Sequence, residues 1–282
     1  MSLFISSLNS GSNGNCYYIG NEQEAVLIDA GLTCRETENR VIRSRLNFAK
    51  IKAIFITHEH SDHTRGAEVI SRKYQIPIYL SPGTFKGGRF QENNGFIRFL
   101  GSYSPVQVGN LTVNAFPKKH DAAEPQSFTV TGNGVTIGVF TDLGKPCKNV
   151  INNFKLCNAA FLEANYDEEM LEKGGYPQYL KDRIRSDHGH LSNYQALELF
   201  IQHKSKNLSH LLLSHLSQDN NNPHIARELF NRHTQGTIIS VASRHVESQV
   251  FQITGTGFPG SLNKVHAPSA NAVQMKLFSD SQ

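Results

Sequence analysis

Thr57-His58-Glu59-His60-Ser61-Asp62-His63 is the stretch on which the reading of this chain turns. It grows out of the apolar run Ala-Ile-Phe-Ile-Thr at 53–57, whose length and composition are those of a buried strand. In an extended or tightly turned segment, His58 and His60 project to one side and can share a metal ion. Asp62 and His63 can turn toward a second. Three histidines and two acids within six residues are denser than an incidental exposed loop requires. Imidazole and carboxylate suit zinc, manganese or iron(II) rather than calcium. One loop cannot fill two coordination spheres, so further ligands must come from elsewhere.

The other candidates also sit where strands end. His120 follows a β-rich run over 106–116, Asp142 follows one over 135–140, and His215 follows one over 208–214. Short β runs alternate with helical stretches along most of the chain, the pattern of an α/β protein. Strands are expected at 3–6, 16–19, 25–29, 76–80, 126–131, 157–163 and 237–242, with Asn133-Gly134 as a hairpin turn. Thr33 with Glu36, and Ser192 with Gln195, have the spacing of capping boxes; Asn222-Pro223 opens a last helix. The two runs of strands, each with its helices, suit two similar halves packed face to face. From about residue 254 the composition shifts to Gly, Ser, Pro, Asn and Gln. The expectation is one domain over 1–256 and a weakly ordered tail over 257–282.

Composition narrows the class. At 282 residues, 38% hydrophobic and mean hydropathy −0.38, the chain has the makings of a sizeable soluble core. It contains no apolar run long enough for a membrane span, and no signal peptide is expected. Four widely spaced cysteines, Cys16, Cys34, Cys147 and Cys157, form no CxxC pair and suggest reduced thiols and a cytoplasmic location. A net charge of +4 permits an anionic substrate without demanding one.

Taken together, His58-Glu59-His60-Ser61-Asp62-His63, His120, Asp142 and His215, in that order, resemble the metallo-β-lactamase superfamily. The resemblance implies a four-layer αβ/βα sandwich with its ligands at strand ends. It assigns His58, His60 and His120 to one ion and Asp62, His63 and His215 to another, with Asp142 between them. Two divalent ions, zinc or manganese, are therefore expected.

Details within the superfamily discriminate further. His60 stands where flavodiiron proteins have Glu, and Asp142 where class B β-lactamases tend to have Cys. Leu162-Glu163-Ala164-Asn165 and Gly189-His190-Leu191-Ser192 resemble the motifs of the phosphodiesterase branch, in which a carboxylate orients a proton-donating histidine. Asp62, Glu163 and His190 are thus the candidate catalytic residues, with Glu163 keeping His190 protonated. His120 and Asp142 lie 22 positions apart, leaving no room for the long arm of ribonuclease Z. Asp142 and His215 lie 73 apart, too close for the cap domain of β-CASP nucleases.

The chain looks most like the YycJ/WalJ-like group, through Ser10-Gly11-Ser12-Asn13-Gly14-Asn15-Cys16, His120-Asp121-Ala122, and His215-Leu216-Ser217 with Asn220-Asn221. That resemblance implies a DNA 5′-to-3′ exonuclease using a hydroxide held between two ions. Lys181, Arg183, Arg185, Asn13 and Ser192 are the candidate substrate contacts, and the expected partner is nucleic acid, DNA foremost. The alternative is a small-molecule hydrolase acting on a cyclic phosphodiester, thioester or lactone. A binding-only protein fits poorly, because no ligand of the set is missing.

Overall fold

The structure, a computed structural model, describes residues 2–91, 93–101 and 104–255. The expected tail over 257–282 lies outside the described residues. Six strands, β1 (Ser2–Asn9), β2 (Cys16–Gly20), β3 (Ala25–Ile28), β4 (Ile51–Phe55), β5 (Ile78–Leu80) and β6 (Ile97–Phe99), lie side by side in chain order in the first sheet. The second sheet holds β7 (Val106–Val108), β8 (Leu111–Pro117), β9 (Gln126–Gly132), β10 (Val135–Phe140), β11 (Ala159–Glu163), β12 (His210–Ser214) and β13 (Ile238–Val241), again in chain order. The last strand, β14 (Phe251–Thr254), returns to the first sheet and pairs antiparallel with β1.

The two halves share one pattern. β1 to β3 run antiparallel and β3 to β6 parallel. Likewise β7 to β10 run antiparallel and β10 to β13 parallel. Parallel neighbours need long crossovers, and these supply the helices. They are α1 (Cys34–Arg43), α2 (Ser61–Thr64), α3 (Ala67–Tyr74), α4 (Pro82–Gly87), α5 (Lys148–Phe154), α6 (Glu168–Lys173), α7 (Gln178–Arg185), α8 (Asn193–His203) and α9 (Pro223–Asn231).

Strand alternation sorts the apolar side chains into layers. Val26, Ile28 and Phe55 from one sheet and Phe128, Val139 and Phe161 from the other fill the space between the sheets. Leu27 and Ile54 face outward onto Val41 of α1 and Ile70 of α3. On the opposite side, Phe140 and Leu213 pack on Phe154, Phe200 and Phe230 of α5, α8 and α9. The result is the expected αβ/βα sandwich. No helix among the described residues is long and apolar enough to cross a membrane.

Candidate metal centre and active site

Because the strands of each half turn parallel toward its end, their carboxyl ends emerge along one edge. That edge of an α/β sheet is where ligand sites form. Asp29 follows β3, His58 to His63 follow β4, and His120 follows β8. Asp142, Glu163 and His215 lie at the ends of β10, β11 and β12. Three of these residues, Asp29, Asp142 and His215, have positive φ (61°, 54° and 56°), an unusual conformation for side chains other than glycine. Strain of this kind persists where surroundings fix it. Lys118, buried, donates to the Thr141 carbonyl at 2.7 Å, and the His215 amide donates to Ser10 Oγ at 2.7 Å.

The candidate ligand atoms gather into compact groups. His58, His60 and His120 offer nitrogens within 4.8 Å of one another, and so do Asp62, His63 and His215 with a carboxylate oxygen. Asp142 lies between the groups: Oδ2 is 3.2 Å from His63 Nε2, and Oδ1 is 3.4 Å from His215 Nε2 and 3.9 Å from His120 Nε2. Nε2 of His120, Nε2 of His215 and Oδ2 of Asp142 are buried and have no hydrogen-bond partner among the described residues. Orphaned buried atoms are costly. Three of them converging on one space, in a set of imidazoles and carboxylates, fit divalent cations.

Neighbouring groups orient the ligands from behind, as metal-binding histidines generally need. His120 Nδ1 lies 3.1 Å from the Gly189 carbonyl, leaving Nε2 for the centre. The Asp29 carboxylate accepts from Thr57 N (2.8 Å) and Thr57 Oγ1 (3.0 Å) and lies 2.7 Å from His63 Nδ1. Asn15 Nδ2 contacts Asp62 Oδ2 at 3.2 Å, and Asn165 Nδ2 contacts His215 Nδ1 at 3.1 Å. Asp29, Asn15 and Asn165 lie outside the expected set of site residues. Asp29 closing the strand in Val-Leu-Ile-Asp-Ala-Gly was the one available signal.

Electrostatics divides the two ligand groups. Burial holds His58 well below the usual imidazole range and His120 down to about 4, so both are neutral and free to ligate. Burial also opposes protonation of His215, but Asp142, Asp62 and Glu163 overcome it and raise the imidazole to about 10. His63 is raised in the same way, against burial, by Asp29, Asp142 and Asp62. Burial works to raise Asp142, yet His215, His63 and Lys118 hold it well below the carboxylate range.

Glu163 and His190 meet at the same place. Glu163 Oε1 is 2.7 Å from His190 Nδ1 and 3.2 Å from His215 Nδ1, while Oε2 accepts from Leu143 N at 2.6 Å. Burial would raise Glu163, but His190 and His215 bring it down to about 2. Glu163, His190 and His215 with Asp142 also form a cluster of ligand-type atoms. Glu163, however, is occupied with orienting its neighbours. His190 lines a cavity of about 300 Å³ together with His60, Asp62, His120, Asp142 and His215. Tyr176, Leu180, Ile184 and Leu216 give that cavity an apolar side.

The candidate substrate contacts scatter. Of the three basic residues of α7, only Arg183 lines the cavity, with Nε on Asp121 Oδ2 at 2.7 Å. The side chain of Lys181 is buried against the Glu172 carbonyl, and Arg185 pairs with Glu172. Ser192 is buried as the N-cap of α8, its hydroxyl accepting from Gln195 N within a full capping box. Asn13 is exposed and donates to the Arg244 carbonyl at 2.8 Å. Lys181, Arg185 and Ser192 thus make bonds within the protein: α7 aims Lys181 and Arg185 at Glu172, away from Arg183, and Ser192 is taken up in capping α8. His188 contributes its carbonyl to Asp121 N at 3.0 Å.

Residues 24–216 match the model of the beta-lactamase superfamily domain. The chain belongs to the metallo-β-lactamase superfamily. It is 36% identical over 232 residues, 80% of this chain and 87% of the relative, to exodeoxyribonuclease YycJ of Bacillus anthracis. It is 32% identical over 227 residues, 77% of this chain and 82% of the relative, to exodeoxyribonuclease WalJ of Streptococcus pneumoniae. These place it in the YycJ-like group of superfamily hydrolases. The fold also matches that of the metallo-β-lactamase-fold protein YhfI from Bacillus subtilis, with TM-score 0.68 and 13% identity over 89% of this chain and all of the other.

Proposed function

We propose that this metal-dependent hydrolase cleaves phosphodiester bonds in DNA as a 5′-to-3′ exonuclease in the cytoplasm. The observation that carries the reading is His190. Its Nδ1 is fixed by Glu163, and it lines the same cavity as both ligand groups, with Nδ1 only 3.8 Å from Asp142 Oδ1. A metal centre alone would serve many hydrolyses; a positioned imidazole beside it suits one with a poor alkoxide leaving group. Its orientation leaves Nε2 to give a proton to the departing 3′ oxygen. The apolar side formed by Tyr176, Leu180 and Ile184 suits a sugar or base, and the relatives' names point to DNA.

In this reading His58, His60 and His120 hold one ion, and Asp62, His63 and His215 the second, with Asp142 shared. When bound, the two ions supply Lewis-acid polarisation of the phosphoryl oxygens and an acidified water. Asp62, tethered by Asn15, orients the attacking group, and the Glu163–His190 pair moves the proton on the leaving side.

A small phosphodiester or ester draws on one observation of its own: Lys181 and Arg185 provide no basic track beside the cavity. The test is digestion of 5′-labelled and 3′-labelled duplex DNA with added manganese, against His60→Ala. Loss of 5′ label first, absent in the variant, is the expected result. Protein carrying two ions that leaves both labels intact transfers the proposal to the small substrate.

A further inference from the structure

A second cavity of about 300 Å³ opens beside the first and shares Leu216 and Ser217 with it. Its wall holds Ser217, Gln218, Ser243, Arg244 and His245 and no carboxylate. The position follows from topology. β13 runs parallel to β12, so the loop after β13 leaves the sheet at the same edge as His215.

That loop is fixed from several sides. The Ser243 carbonyl accepts from Ser10 N at 3.1 Å, the Arg244 carbonyl from Asn13 Nδ2 at 2.8 Å, and the His245 carbonyl from Arg40 Nη2 at 3.0 Å. The Arg244 guanidinium donates from Nη2 to Ser12 Oγ at 3.1 Å, and Ser12 lines the first cavity. Nη1 is buried and has no partner, and among the described residues no carboxylate pairs with this arginine. An orphaned guanidinium donor is expensive unless something absent satisfies it.

Nearby hydroxyls are also available as donors. Ser217 Oγ accepts from Asn220 N at 3.2 Å and Ser243 Oγ from His245 N at 3.0 Å, which leaves each hydroxyl hydrogen free to donate. Fixed donors, one full positive charge and no competing carboxylate make an anion site.

We infer that this second cavity binds the phosphate that flanks the scissile one, with Arg244 as its cation. The inference rests on the proposed nuclease reading. The flanking phosphate has two sources, the terminal monoester of a 5′-phosphorylated strand or the next internal diester.

The test is binding of 5′-phosphorylated and 5′-hydroxyl strands of one sequence, with phosphorothioates at the first linkages, to the metal-loaded full chain across a salt series. Arg244→Gln and Arg244→Lys are compared with the parent protein. A loss of ~10-fold in Arg244→Gln on the phosphorylated strand alone identifies the terminal monoester. An equal loss on both strands, with the salt slope lowered by about 1, identifies the internal diester. In either case Arg244→Lys recovers the salt slope, which a packing defect would not do. Unchanged binding in Arg244→Gln, or a loss without change of slope, overturns the subsite while leaving the nuclease reading intact. Parent protein that neither binds nor cleaves either strand overturns both.

Discussion

His190 and Glu163 differ in what they touch, and so their variants should differ. His190 hydrogen-bonds only Glu163 among the carboxylates and lines the cavity, whereas Glu163 also lies 3.2 Å from Nδ1 of the candidate ligand His215. His190→Ala is expected to lower turnover by ~10²–10⁴-fold with both ions retained. Glu163→Gln should lower turnover and also weaken the second ion, because His215 loses the charge behind it. Turnover measured beside metal content separates the two; equal metal loss in both variants would remove the general-acid role. Protons report on the same residues. Without ions, His215 is raised to about 10 and His63 well above its usual range, so both are protonated at neutral pH. Metal uptake must displace those protons, and apparent affinity should rise with pH from neutrality toward about 10. Calorimetric titration in buffers of different ionisation enthalpy measures the protons released. The folded value for His215 is raised, so its stabilising effect on the metal-free protein is complete below the ordinary imidazole value. It is then lost as pH climbs through about 10.

Turns and short helices, more than strands, determine where the ligands arrive. Gly31 follows β3 and lies against the start of α2; a Cβ there would stand 1.7 Å from the Asp62 carbonyl oxygen and 2.7 Å from Asn15 N. Both are backbone atoms and cannot rotate away. Gly31→Ala should therefore cost roughly 1–3 kcal/mol and release the ion of Asp62 and His63 before that of His58 and His60. Denaturant titration together with metal stoichiometry tests this order. The elements most legible in sequence were those where local chemistry and burial agree. The capping box at Ser192 forms in full, Asn222 caps α9, and the apolar runs became the central strands. At Thr33 only half of the expected box appears: Thr33 accepts from Glu36 N, but Glu36 turns to Arg40 and Arg43. The expected run over 106–116 divides at Gly109, whose φ of 57° turns the chain from β7 into β8. β14 was not anticipated, because Val-Phe-Gln-Ile-Thr near a Gly-rich tail carries no local signal and its pairing with β1 spans nearly the whole chain. The same applies to Arg244, whose partner Ser12 is remote in sequence, while Asp29 had only its place at a strand end to mark it.

At the scale of the whole molecule the centre is a seam. His58, His60, Asp62 and His63 arrive from the first sheet, and His120, Asp142 and His215 from the second. Between the sheets an apolar layer holds the halves together over most of their area, but at the ligand edge it gives way to buried charge. There the halves meet through Asp142, 2% exposed, lying 3.2 Å from His63 of the other sheet. In the proposed reading, two divalent ions bound across this edge would act as a cross-link that the unfolded chain cannot offer, so binding would add to folding stability by mass action. With free metal at 100 times its dissociation constant, one ion contributes about 2.7 kcal/mol. For a chain of this size, removal of one such ion should lower Tm by about 5–10 °C, and removal of both by about twice that. Asp142→Asn removes the charge shared by both groups, so its Tm should move little on chelation. Hydrogen exchange locates the effect: amides at the carboxyl ends of β4, β10 and β12 should lose protection on chelation, while the pairing of β7 with β8 around Gly109, at the opposite end of β8 from His120, should hold. Uniform loss across both sheets would mean that the ions secure the whole fold, and an unchanged Tm would mean that the apolar layer alone holds the halves together.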